Sequence, residues 1–370
     1  MTSDQDCRQI LAASRPAFRA VFLIFPSSDP TELVNSNIEP SSLPIACHGK
    51  LPVDREYVHH QVGDISVDEL DRWVRDAHRR AFLQPSAPTD GYDRAPAFGF
   101  VFETETASRL QGVLAPSRDS TGRRYPFWAA WPASGLDLST ALFANRLRFV
   151  SRVIRGETSI DSLDSLTSLD RSFPVRTHHS FASETEQDDT VVPPFGTSFL
   201  EHSLPTGSAL TPAQFLAAWM NVFEGKTEAQ IRRFNYGLQI PLPSAESATR
   251  SAALWIEATR RITRSPHLPV SAFWSLRRPT TLEDPDEDAR PSMMEASQAS
   301  VPLFLLLFFG PAPTGAYEHL FDPTKDRSFL YDPTKIDPAQ AASILDSLPP
   351  EHRRIVDALE TNRSVLEMLN

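Results

Sequence analysis

Three side chains in one short turn could do chemistry together. Ser117, Asp119 and Arg123 fall within the stretch Gly112–Trp131, where the apolar run Gly112-Val113-Leu114-Ala115 meets a polar turn, Pro116 to Gly122, and a second apolar run begins at Tyr125. A serine beside a carboxylate and a guanidinium supplies either a nucleophile or an anion site. The missing part is a base, and a Ser–His–Asp triad is assembled in space, so sequence alone does not choose among the ten histidines. The turn also lacks a glycine-rich phosphate loop and a G-x-S-x-G elbow. The competing reading is structural: Ser, Asp, Pro and Gly are ordinary turn residues, and an Asp119–Arg123 pair can lock the turn by a charge-assisted hydrogen bond. Convergence of the three side chains with a histidine at an open cleft favours hydrolase or anion-binding chemistry; an ion pair buried beneath the turn favours a non-catalytic role. Cys47, His48, His59 and His60 form a second group, but adjacent ligands without C-x-x-C or H-x-x-x-H spacing argue against zinc. No cofactor is expected.

The elements that must hold this turn follow from periodicity. Leu43–Leu51 reads as a strand leading into a turn at Lys50–Asp54, and Ala97–Glu103 as an aromatic-rich strand that makes a meander with the two runs around the hinge. Between them Ser66–Leu83 is an amphipathic helix, with Ser66 as N-cap, Glu69 as its reciprocal partner, and Leu70, Trp73, Val74, Ala77 and Ala81 at helical spacing. Trp73 is read as core, and Pro85–Pro96 as a loop. Leu138–Arg155 predicts a helix whose arginines, Arg146, Arg148, Arg152 and Arg155, lie on a solvated face. Residues 157–207 read as loops around one short helix at Asp161–Leu169.

The second half restarts at Thr211-Pro212, a capping residue followed by proline at the first helical position. Helices are expected at Pro212–Glu224, Glu228–Phe234 and Ser247–Thr263, and strands at Tyr236–Leu242, Val270–Leu276 and Val301–Phe309. The last has nine residues where a membrane span needs about 20, so it is read as a buried strand. Pro338–Leu348 and Pro350–Leu369 give two amphipathic helices, read as docking on the domain, with a partner's groove as the alternative.

Composition bounds the function. A formal charge of −11 argues against a nucleic-acid footprint, which needs a basic face. Two cysteines, Cys7 and Cys47, provide no disulfide framework. The polar, acidic residues 1–9 do not open a secretory signal, so a soluble cytoplasmic protein without membrane insertion is expected.

Three blocks in order resemble a known family. "G-V-L-x-P-S-x-D-x-x-G-R-x-Y-P-F", carried here by Pro116, Ser117, Asp119, Gly122, Arg123, Tyr125 and Pro126, is similar to the pattern of the TagF (ImpM) family of bacterial type VI secretion accessory proteins. Upstream, Gly49-Lys50-Leu51-Pro52 resembles the family's "G-K-L-P", and Leu70–Val74 its "W-x-x-W-L" helix around Trp73. The family's Gly-Asp pair after G-K-L-P is Arg55-Glu56 here. Pro291–Asp322 resembles the end of the domain loosely, with Met293-Met294 in place of a tryptophan pair.

The resemblance implies a layered α/β/α domain with a mixed sheet at residues 43–330, diverging over 157–290, after an extension at 1–42 and before a helical tail at 331–370. One sheet shared by both halves is expected, with two domains as the alternative. It further implies a non-enzymatic protein that restrains type VI secretion after translation by engaging a forkhead-associated scaffold component. The motif residues, or the helix Leu138–Arg155, are the expected contact region.

Overall fold

Strands buried on both faces read as unbroken apolar runs, and the central strands do so here. The computed structural model describes residues 45–82, 90–133, 195–244, 247–276, 303–323 and 328–360, with 146, 150, 152–154, 156 and 365. The readings for residues 1–44, the short helix at Asp161–Leu169 and the Met293-Met294 block lie outside the described residues.

The first strands are β1 (Ala46–Gly49), β2 (Val58–His60), β3 (Phe98–Glu103), β4 (Arg109–Ala115) and β5 (Phe127–Pro132). The later ones are β6 (Gly237–Pro241), β7 (Ser271–Ser275), β8 (Phe304–Phe308) and β9 (Leu330–Tyr331). They form a single nine-stranded sheet in the order β2-β1-β5-β4-β3-β7-β8-β6-β9. All neighbours are antiparallel except β6 and β9, which are parallel, so the sheet is mixed. β3, β4 and β5 are the expected meander. The two halves of the chain meet where β3 pairs with β7, Phe100 opposite Phe273.

Alternation divides these strands between two cores. Phe98, Phe100 and Phe102, Trp128 and Ala130, and Phe304, Leu306 and Phe308 face one layer; Val101, Phe127, Ala129, Trp131, Leu305 and Leu307 face the other. The first layer is closed by α1 (Ile65–Phe82), α2 (Asp90–Arg94) and α7 (Thr314–Phe321) through Leu70, Trp73, Val74, Tyr92, Tyr317 and Phe321. The second is closed by α3 (Thr197–Ser203), α4 (Pro212–Asn221), α6 (Ala248–Ile262) and α9 (Pro350–Glu360), which contribute Phe199, Trp219, Trp255 and Ile355. Burying a large apolar side chain stabilises by about 1.5–3 kcal/mol. The two filled faces are therefore the main source of stability. Among the described residues the remaining named helices are α5 (Glu228–Ile231), a single turn, and α8 (Pro338–Ser347), whose Ala341 is buried.

Several local expectations are corrected. α1 starts one residue early, because the Asp64 carboxylate accepts the Ser66 N–H at 2.8 Å; Glu69 instead accepts from the Glu105 N–H in the β3–β4 turn. The segment read as a loop before β3 contains α2, and the region read as loops before residue 207 contains α3. Within Leu138–Arg155, the described positions 146, 150 and 152–154 are helical, but Arg146 is buried with its guanidinium 4.9 Å over the Trp131 ring, while Arg152 is exposed. Its long stem and delocalised charge suit an aromatic face. The Thr211 cap forms as expected, a reciprocal box with Gln214.

Two glycines differ instructively. Gly49 ends β1 at φ +142°, and a Cβ there would lie 2.2 Å from the Pro126 carbonyl oxygen; Gly122 has φ +86° with open space around it. In urea denaturation Gly49→Ala is expected to cost about 2–4 kcal/mol, from strain plus a backbone clash. Gly122→Ala should cost only about 1 kcal/mol, the price of the left-handed backbone alone.

Candidate functional site

β1 pairs with β5, and the β4–β5 turn closes on the end of β1. Turn geometry comes from local bonds: Gly122 N–H donates to the Asp119 carbonyl at 2.9 Å, Asp119 N–H to Arg123 at 3.1 Å, and Tyr125 N–H to Ser117 at 3.1 Å. Inside that ladder the Asp119 side chain is wholly buried. Its Oδ1 accepts from Thr121 N (3.0 Å), Thr121 Oγ1 (2.7 Å) and Arg123 N (2.9 Å). Its Oδ2 accepts from Lys50 Nζ at 2.5 Å and Arg123 Nε at 2.6 Å. Burial pushes the Asp119 carboxyl up, but the bonds from Lys50, Thr121 and Arg123 outweigh it and hold the group well below the usual carboxylate range.

Lys50 reaches this carboxylate beneath the turn. Its side chain is as buried as its partner, and its ammonium lies 4.3 Å from the Tyr57 ring centroid. Arg123 covers the pair from outside, half exposed, and its terminal nitrogen donates to the Arg55 carbonyl at 2.6 Å. The ion pair expected between Asp119 and Arg123 is present, but the innermost cation is Lys50. Sequence reading placed both Lys50 and Asp119 in family motifs without joining them; a lysine followed by Leu-Pro at a strand end was the available signal.

Ser117 has no base. Its hydroxyl donates to the Lys50 carbonyl at 2.6 Å, while its backbone N–H donates to the Tyr92 hydroxyl and its carbonyl accepts from that hydroxyl, both at 3.0 Å. An oriented imidazole exists nearby, with His48 Nδ1 2.6 Å from Asp71 Oδ1; its ring stacks on Tyr125, meets Tyr57 edge-on and lies tilted to His59. It makes no hydrogen bond to Ser117. Of the two arrangements distinguished in the sequence, neither forms as drawn: Ser117, Asp119 and Arg123 do not converge with a histidine, and the buried pair is Lys50–Asp119, the Arg123 side chain being half exposed. Among the described residues no group of three His, Cys, Asp or Glu side chains is placed to hold a metal. Cys47 is buried and its thiol pushed up to about 12 by desolvation, which leaves it inert.

The other motif residues support the same corner. Leu51 is buried in the second core layer, Pro126 backs onto Gly49, and Pro52 is exposed. Pro116 is half-buried at the end of β4. Trp73 stacks on Phe273 with ring centroids 5.2 Å apart, and its indole N–H donates to the Ala312 carbonyl at 2.9 Å, so it is core. Arg124 does not join Arg123: both Arg118 and Arg124 bond Asp93 of α2, at 3.0 and 2.5 Å, across the bridge that pairs the two arginines.

Residues 46–174 match the family described as TagF N-terminal domain, Type VI secretion system-associated. This part of the chain is similar to a TagF N-terminal domain. β1 to β5, α1, α2 and the Lys50–Asp119 pair all lie within it. The looser resemblance at Pro291–Asp322 falls beyond the match. The chain is also similar to the crystal structure of PA0076 from Pseudomonas aeruginosa PAO1, at 15% identity and a TM-score of 0.40, over 78% of this chain and 98% of that one. No curated protein matches the chain. Among the described residues no helix is long and apolar enough to cross a membrane.

The TagF corner is held from behind by His78 of α1. Its Nδ1 is 3.0 Å from the Tyr317 hydroxyl, it bonds the backbone of Arg124, and its ring meets Tyr92 and Tyr125 edge-on. Burial, opposed by the Arg124 bond, pushes its pKa down to about 4. The unfolded chain takes up this proton near pH 6.5 and the native protein does not, so stability is lost as pH falls from about 6.5 towards 4. Between about pH 7.5 and pH 5 this amounts to roughly 2 kcal/mol. Urea denaturation at both pH values is expected to show that difference in the wild type and its removal in His78→Gln, the other titrating groups cancelling in the comparison.

Proposed function

We propose that this protein is a non-enzymatic cytoplasmic accessory factor that restrains type VI secretion after translation by binding a forkhead-associated scaffold component of the apparatus. The observation that carries this reading is the TagF domain over residues 46–174, whose type VI association is given by the family match. The geometry of the hinge supports it. The side chains that could have formed a catalytic centre are spent on architecture: Asp119 is enclosed by its donors and the Ser117 hydroxyl is committed to a carbonyl. What remains outward is a rigid surface, suited to recognition.

The test is a pull-down with the purified chain from a lysate of its own bacterium. Wild type is expected to recover the forkhead-associated component, and Arg123→Ala, which keeps the inner Lys50–Asp119 pair, is expected to stay folded by circular dichroism and recover less of it. Asp119→Ala should lose thermal stability as well, since it leaves the Lys50 ammonium buried without its carboxylate. Recovery of no secretion component by folded wild type would remove the basis of this reading.

A further inference from the structure

Large apolar side chains left in water mark interfaces when they gather in one place. Among the described residues those that are exposed are Val53 (63%) and Tyr57 (42%), both in the β1–β2 loop, and Ile65 (65%), which opens α1. Residues 52–57 are exposed without interruption, and this loop is clamped against the β4–β5 turn. Asp54 N–H donates to Leu51, Ser120 N–H to the Asp54 carbonyl at 2.9 Å, and Arg123 to the Arg55 carbonyl at 2.6 Å. An exposed loop fixed by three bonds has little ordering cost to meet on binding.

Charge on this face runs against the charge of the chain. Lys50 and Arg123 share one carboxylate, Asp119, while Arg118 and Arg124 share another, Asp93. Arg55 adds a fifth cation beside Asp54 and Glu56. The corner therefore stays positive in balance on a chain of formal charge −11. Such a local excess steers an acidic partner to one face of a molecule that elsewhere repels it. Tyr and Arg together are also the residues that dominate binding energy at interfaces.

We propose that the β1–β2 loop and the β4–β5 turn form one docking surface for an acidic segment of a protein partner. Val53 and Tyr57 serve as apolar anchors, and Arg55, Arg118 and Arg123 pair with its carboxylates. This rests on the reading of the protein as a type VI accessory that acts by binding, and it names the surface and the chemistry of its partner. A two-fold contact with a second copy of the chain is disfavoured, because it would bring the same cations to the contact.

The experiment measures binding of the purified forkhead-associated scaffold from the same bacterium to wild type, Val53→Glu, Arg118→Glu and, as a control on α9, the exposed Arg354→Glu. Val53 and Arg118 lie outside the buried Asp119 network, so both variants are expected to keep the wild-type melting profile. Roughly tenfold weaker binding in each, with the control unchanged and wild-type binding falling as salt rises, is the expected result. Equal binding by all four overturns the surface while leaving the regulatory reading intact. If wild type itself does not bind the scaffold, that reading fails, and a photo-crosslinker at Val53 in secreting cells decides the surface separately. An adduct on an acidic segment of another secretion component supports it. No adduct, or one on a second copy of this chain, overturns it.

Discussion

One carboxylate fixes the corner on which everything described for this protein depends. Asp119 accepts hydrogen bonds from two backbone amides, a hydroxyl, an ammonium and a guanidinium, and none of its side chain reaches solvent. A buried charge is tolerable only when its partners replace the water it has lost, and here they do so from three directions. Two of the donors belong to its own turn. The third, Lys50, directly follows β1, sixty-nine residues earlier. The same interaction thus shapes the turn and joins it to β1, and the exposed loop after Lys50 inherits its position from that joint.

The aromatic layer behind the corner is polar at chosen points. Tyr92 bonds both backbone groups of Ser117, and Tyr317 meets His78, which in turn reaches the backbone of Arg124. These hydroxyls and the imidazole satisfy groups that a purely apolar layer would leave without partners. Rigidity at the surface is therefore obtained from inside, through α1, α2 and α7. A turn held only by its own hydrogen bonds would have no such backing.

Much of this was legible in the sequence because the relevant signals are local. Apolar runs marked β3 and β5 as strands and β8 as a buried one, Thr211-Pro212 marked the start of α4, and the motif residues marked the hinge. What stayed hidden depends on contacts distant in the chain. Nothing in a linear reading pairs Lys50 with Asp119 or His48 with Asp71, and a charged residue such as Arg146 reads as solvated until Trp131 is seen beneath it. α2 and α3 are short, and brief helices carry too few periods to announce themselves. The cap of α1 was misassigned by two residues because Asp64 and Ser66 are both good capping residues, and only the backbone decides between them.

The seam between β3 and β7 bears on how this molecule could have been put together. The ladder from Phe98 to Val101 against Ala272 to Ser275 joins strands whose residues lie more than a hundred and fifty positions apart, and β3 is the inner border of the family domain's block of strands. A block that ended at β3 would carry an aromatic strand with an open backbone edge, the geometry that recruits foreign chains. In this chain residues 46–174 consequently do not complete their sheet alone, since β3 takes its second neighbour from β7. Any change in Ala272 to Ser275 must therefore still present a backbone edge and side chains that fit against Phe98 to Val101.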